Sequence, residues 1–560
     1  MILAFEFQYI SQNGVLESLL KEICVDFNIE HVVCKDASMV TLYVEDNEQR
    51  IGDFADILGS SLPLSLFFKS SSVYVAQTLP TEPQACIDVP LKPFFTPKIL
   101  SSIETLGSSM YLLPYTEFVL GEDSLQLSHK GELCVNAKSS EDFENLYTRV
   151  VQAIIDGQTV SIPTHHHSYV FSKVELLSTF KNLDGIDIVA TDLSVVEKMV
   201  VIKENEIKAL ASLERPSLRL KVNALYAQKE IVPLSRVRLR LSDELIVFHL
   251  CKRLFEKGIG FIFKADAHLM DADMRVEFTG TLPNLEPLEV CVLDNGEIAI
   301  VEGSSYASSA LKANLTKFEE PCYRFFASIM QEHQLFSANS ACFYLSTFHD
   351  DAFMHYSPEN RMLAFSKVTL PASVEALFDE IALMGKSGVR LIENYKEMFP
   401  EIVAHALSIN IPQDMPKSIF SLWKIAAIVL GFDKDLESAA QTLIENAEDF
   451  GGQKGPRIDY YLQKEEALVS DFNYMKLIRS GMSFKLAGTD DATLSFGYMQ
   501  SLSYFLSDTS DFYKENVGIE NVALAGSLFK YRKFTEMVYK NLKPNHTLRL
   551  NRELPIDDKA

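Results

Sequence analysis

MILAFEFQYISQNGVLESLLKEICVDFNIEHVVCKDASMVTLYV, residues 1–44, switches its hydrophobic period from two to about three and a half and back again. Ile2 to Ile10 alternates as a strand does. Val15 to Phe27 has helical spacing, with Leu16, Leu19, Leu20 and Ile23 on one face. His31 to Cys34 and Val40 to Val44 read as two short strands. Further on, Ile51 to Leu58 reads as a second helix and Ser72 to Ala76 as a last strand. The order β-α-β-β-α-β over residues 1–80 predicts the split βαβ, or ferredoxin-like, sandwich.

Outward from this block the chain changes character. A Pro-rich stretch from Pro80 to Pro97 reads as a connection, and residues 81–130 are taken as a linker segment. Residues 131–284 read as mixed α/β. Asp142 to Ile155 and Ser242 to Lys257 have helical spacing, and Thr159 to Pro163, Ile186 to Thr191 and Ile259 to Phe263 read as strands. Residues 285–560 start with strands, become helix-rich after Leu315 and return to a strand at Val522 to Ala525. The expectation is a multidomain α/β protein, because 560 residues exceed what one core serves.

Composition narrows the function classes. Hydrophobic residues make up 47% of the chain, enough for several cores. A formal net charge of -24 repels phosphate backbones, so nucleic acid is not expected as a partner. The basic run Arg236 to Arg240 alternates as one face of a strand does. No apolar run is long enough to cross a bilayer, and the most apolar helical stretch, Ser421 to Phe432, carries Lys424 inside it. The start, Met-Ile-Leu-Ala-Phe-Glu, lacks the basic segment of a signal peptide and reads as a first strand. Eight scattered cysteines without a CxxC pair read as reduced thiols, so a cytoplasmic location is expected.

Several segments resemble, in chain order, the hydrogenase maturation carbamoyltransferase family (HypF). Ser418 to Phe432 (SIFSLWKIAAIVLGF) is similar to its "S-x-GRLFDAVAALLG" helix, and Glu437 to Ala440 to the "YEGQAA" that follows. Val522 to Tyr531 (VALAGSLFKY) resembles "VALSGGVFQN", and Leu554 to Asp558 (LPIDD) resembles "vPxND". Leu210 to Leu220 (LASLERPSLRL) is close to "LxSxxRPIVLL", and Gly157 to Thr164 (GQTVSIPT) resembles the opening strand of a YrdC-like domain. The resemblance implies an acylphosphatase-like domain over residues 1–80 and a degenerate zinc-finger-like linker over 81–130. A YrdC-like domain over 131–284 and a two-lobed, ATPase-type (ASKHA-like) carbamoyltransferase-like domain over 285–560 would follow.

The family hydrolyses carbamoyl phosphate, makes carbamoyl-adenylate, and passes the carbamoyl group to a partner's cysteine. The resemblance implies that the residues for these steps are largely gone. Glu17 falls at the position of the phosphate-holding arginine and Lys35 near that of the water-orienting asparagine. Only Cys86 remains of the zinc ligands, which number four in such a site. Phe263 to Ala267 lacks the family's serine-x-asparagine element. Pro321 to His333 lacks the ligand histidines of "HHHAHIASVMAEH", and Leu345 to Asp351 lacks the glycines of a phosphate loop.

Thr164, Arg215 and Gly526 survive as candidate nucleotide contacts, and His166 and Asp558 as candidate metal ligands. Each has a plainer reading. Adjacent residues of a strand point to opposite faces, so His165 to His167 also reads as a polar loop, and Arg215 as a structural ion-pair partner. No catalytic residue is assigned. The resemblance implies an assembly factor without a cofactor, binding hydrogenase subunits or other hydrogenase maturation proteins. The alternative is an active carbamoyltransferase or nucleotide-dependent enzyme using ATP and magnesium.

Overall fold

The computed structural model describes residues 1–36, 38–80, 95–106, 123–165, 167–179, 185–280, 282, 286–359, 361–466 and 469–559. Two compact units emerge: Met1–Val292 with Glu302–Ser308, and Leu293–Val301 with Ser309–Ala560.

The first unit opens with a four-stranded antiparallel sheet in the order Glu30–Asp36, Met39–Glu45, Ile2–Tyr9, Phe68–Ala76. Phe5, Phe7 and Tyr9 share one face because side chains alternate along a strand. They pack on Leu16, Leu20 and Cys24 of the helix Val15–Phe27 and on Phe54 and Leu58 of the helix Glu48–Ser61. Element order and topology are those of the predicted ferredoxin-like sandwich. Asn47 caps the second helix by accepting from the Arg50 amide at 3.0 Å.

A ten-stranded sheet carries the rest of this unit. Its order is Val200–Val201, Leu218–Val222, Arg236–Arg240, Ile186–Ala190, Phe261–Asp266, Ser168–Lys173, Val160–Pro163, Met274–Phe278, Leu125–His129, Glu132–Ala137. The helices Ser140–Ile155 and Leu245–Glu256 bury Phe143, Leu146, Val150 and Ile154 with Leu250 and Leu254 against it. The first of them starts on a capping box made by Ser139 and Asp142. Cys86 and most of the predicted linker lie outside the described residues; within that span Pro97–Leu106 is a helix, tied by Lys98 to Glu22 and Asp26.

The second unit is built on a seven-stranded sheet ordered Leu462–Glu466, Val469–Phe472, Arg361–Lys367, Ala352–Ser357, Ser340–Tyr344, Asn521–Ala525, Thr547–Arg549. The stretch between Leu315 and Val522 is helix-rich, as the sequence reads, but five of these strands fall within it and are not anticipated there. Ser340–Tyr344 is buried at every position, and an unbroken apolar run carries no strand period. The helix Ile419–Leu430 buries most of its residues, and its Trp423 donates to the Tyr460 hydroxyl at 2.7 Å. Lys424 reaches the surface and pairs with Glu437 at 2.7 Å. Among the described residues no helix is long and apolar enough to cross a membrane, and the seven described cysteines are free.

Candidate functional site

In the second unit the strands Ser340–Tyr344 and Asn521–Ala525 run parallel, with Tyr344 opposite Ala525. Both chains therefore leave the sheet at the same edge, and the loops that follow lie side by side. Gly526 makes this approach feasible. Its φ is 97°, and a Cβ there would overlap the Leu345 backbone. Its amide donates to the Ile556 carbonyl at 2.8 Å.

The tail of the chain, Leu550 to Asp558, returns to this edge. Glu332 holds it by accepting from the amides of Arg552, Glu553 and Leu554 at 2.5, 3.2 and 3.0 Å. Burial, with Glu553 nearby, pushes the Glu332 carboxyl up to about 8. Its neighbour His333 sets Nε2 2.7 Å from the Leu550 carbonyl, and burial beside Arg552 and Arg549 pushes its imidazole down to about 3. Asn551 donates to the Ile300 carbonyl at 3.0 Å.

Asp557 is thereby delivered, buried, to the loop edge. Its Oδ1 accepts from the Tyr344 hydroxyl at 2.5 Å and the Asp558 amide at 3.1 Å; its Oδ2 accepts from the Ser346 hydroxyl at 2.6 Å and the Ser527 amide at 2.9 Å. Asp351, also buried, accepts from the amides of Ser346 and Ile419 at 2.7 and 2.6 Å. Burial and the neighbouring Asp557 and Asp350 raise its carboxyl well above the usual range, against the two amides. Asp558 pairs with Arg324 and lies 3.0 Å from His349 Nε2.

His349, Asp557 and Asp558 place one ligand atom each within 4.8 Å of one another. The set does not suit a metal ion. Both oxygens of Asp557 already take two donors each, and Asp558 shares its charge with a guanidinium. A cation would have to displace those donors and sit beside Arg324.

In the first unit Thr164 lies in the turn after Val160–Pro163. Its hydroxyl donates to the His167 carbonyl at 2.7 Å. The His165 amide donates to both oxygens of the Glu244 carboxylate at 3.0 Å. His166 lies outside the described residues. The turn borders a cavity of about 640 Å³ whose walls include Ser161, Thr164, His165, His167, Arg275 and Glu277.

Arg215 is not among the described residues lining that cavity, so of the three candidate nucleotide contacts only Thr164 lies there. Its φ is 46° and its guanidinium stands 4.4 Å from the Phe95 ring centre. Burial lowers its pKa to about 10. Beside it, the Leu213 amide donates to the Leu64 carbonyl at 2.8 Å, and Glu214 accepts from the Ser65 hydroxyl at 2.5 Å and the Leu66 amide at 3.0 Å. The LASLERPSLRL segment thus joins the approach to strand Phe68–Ala76 to the ten-stranded sheet.

Two clusters escape sequence reasoning. Arg240, 1% exposed, pairs with Asp187 at 3.2 Å and Asp243 at 2.8 Å, and Lys264 pairs with Asp243 at 3.1 Å. The alternation of Arg236–Arg240 identifies the strand but not its burial, because Asp187 and Lys264, which complete the cluster around Arg240 and Asp243, come from distant segments. The second cluster unites two residues that the sequence treats separately. Glu17 and Lys35 form an ion pair of 2.8 Å, with side chains 8% and 12% exposed, and Lys35 also donates to the Ser11 carbonyl at 2.8 Å.

No family model matches the chain. It is 26% identical over 513 residues to Protein HydE of Wolinella succinogenes, a match covering 90% of each chain. A crystal structure of full-length HypF in the phosphate- and nucleotide-bound form superposes with a TM-score of 0.64 over 99% of this chain and 96% of that one, at 12% identity. HypF from T. kodakarensis gives a TM-score of 0.61 over 100% and 96%, also at 12% identity. At that identity the likeness establishes the fold. The chain is similar to Protein HydE along nine-tenths of both sequences and carries the fold of full-length HypF across 99% of its length.

Proposed function

We propose that this protein serves the maturation of nickel–iron hydrogenases as an assembly factor that works by holding a protein partner, with the catalytic sites of its relatives emptied. One observation carries the reading: side chains at the positions of the family's chemistry are bound to this protein's own groups. Glu17 and Lys35 neutralise each other, and Asp557 consumes the donors at the loop edge of the second unit. A hydrogenase subunit or another maturation protein is the partner this reading names.

The test is complementation. A deletion strain should lack hydrogenase activity, and Thr164→Ala, Arg215→Lys and Asp558→Asn variants should each restore it. A folded variant that restores nothing would refute the assembly reading. Crosslinking in the complemented strain should recover a hydrogenase or maturation protein.

The cavity beside Thr164 favours a second reading, a nucleotide-dependent carbamoyltransferase, since hydroxyls, imidazoles and Arg275 converge on a volume of about 640 Å³. Titration calorimetry with ATP and magnesium, with and without carbamoyl phosphate, separates the two. Heat that disappears in Thr164→Ala would favour the enzyme.

A further inference from the structure

We propose that the loop edge of the second unit is an oxyanion cradle whose resident ligand is the protein's own Asp557 carboxylate. The inference stands apart from the assembly role and concerns what this site can bind.

Four donors from three segments of the chain converge on this carboxylate: the Tyr344 phenol, the Ser346 hydroxyl, and the backbone amides of Ser527 and the adjoining Asp558. Such convergence is how proteins hold phosphates and carboxylates of bound molecules. The serine is committed to the task. Ser346 Oγ accepts from the amides of Phe348 and His349, both at 3.0 Å, so its proton is left for Asp557. Ser527 is fixed in turn, because its hydroxyl accepts from the Thr347 amide at 2.8 Å. The cradle does not depend on Asp557 for its shape. Glu332, Asn551 and the Gly526 amide hold the tail before it, and the pairing of Asp558 with Arg324 holds it after.

Removing the carboxylate while keeping the backbone therefore leaves a preformed site for a small carboxylate. With Asp557 present, the site refuses free phosphate.

Trp423 is the chain's one tryptophan and belongs to the second unit, so its emission during urea unfolding reports that unit. Asp557→Ala should lower the urea midpoint. Sodium formate, at constant ionic strength, should raise the variant's midpoint in a saturable way and leave the native protein unmoved. Adding Ser346→Ala should weaken the formate effect roughly tenfold, the worth of one hydrogen bond to a charged group. Asp557→Asn, which keeps the volume, should lower the midpoint more than Asp558→Asn does. The proposal is overturned if formate moves a folded Asp557→Ala variant no more than the native protein. It is also overturned if Asp557→Asn unfolds at the native midpoint, or if inorganic phosphate or zinc raises the native midpoint.

Discussion

Glu332 and His333 adjoin at the end of the helix Pro321–Glu332 and titrate in opposite senses, which gives the second unit a calculable pH profile. Glu332 is raised from an ordinary 4.5 to about 8 and His333 lowered from 6.5 to about 3. Between pH 4.5 and 8 the folded state holds a proton on Glu332 that the unfolded state has released, so stability from this group falls as pH rises. Between pH 3 and 6.5 the unfolded state protonates His333 and the folded state does not, so stability from the imidazole falls as pH drops. The two slopes cancel from pH 4.5 to 6.5. Each limb outside that plateau declines by about 1.4 kcal/mol per pH unit, so the alkaline limb amounts to about 2 kcal/mol by pH 8. Urea unfolding followed by Trp423 emission across pH measures it. Glu332→Gln should lose the alkaline decline that Glu332 supplies. Asp351 is also raised and contributes to both proteins, so the difference between the two profiles isolates Glu332. Identical alkaline limbs would refute the assignment.

Three further outcomes follow from buried contacts. Lys35→Met leaves Glu17 charged and alone and should cost about 3–5 kcal/mol, read as roughly a hundredfold or greater acceleration of amide exchange in Val15–Phe27. The Glu17→Met, Lys35→Met double variant should recover most of that loss, to within about 1 kcal/mol of the native protein. Gly526→Ala should lower the Trp423 midpoint by the equivalent of about 3 kcal/mol or more, since a left-handed φ and the Leu345 backbone both oppose a side chain.

The front sandwich is legible in the sequence because its period changes cleanly between strand and helix. The strand Ser340–Tyr344 is not, because burial on both faces erases the alternation that marks a strand. Of the site residues, Gly526 and Asp558 lie at one loop edge, whereas Arg215 does not line the cavity that Thr164 borders. The tail motif directs attention to Asp558, yet its neighbour Asp557 takes the buried donors. Spacing cannot tell which of two adjacent carboxylates turns inward. Glu17 and Lys35 look like two independent losses, and only tertiary structure reveals them as one arrangement.

That arrangement also constrains which sequences this sandwich accepts. Placing an arginine and an asparagine at Glu17 and Lys35, as the resemblance to HypF would have it, needs two substitutions. Either one alone strands a charge in the interior: an arginine against Lys35, or Glu17 against an uncharged amide. Each single replacement therefore carries the cost of an unpaired buried charge, in whichever order the two are made. The ion pair thus binds two positions of the first sandwich into one unit that can be replaced together and not one at a time.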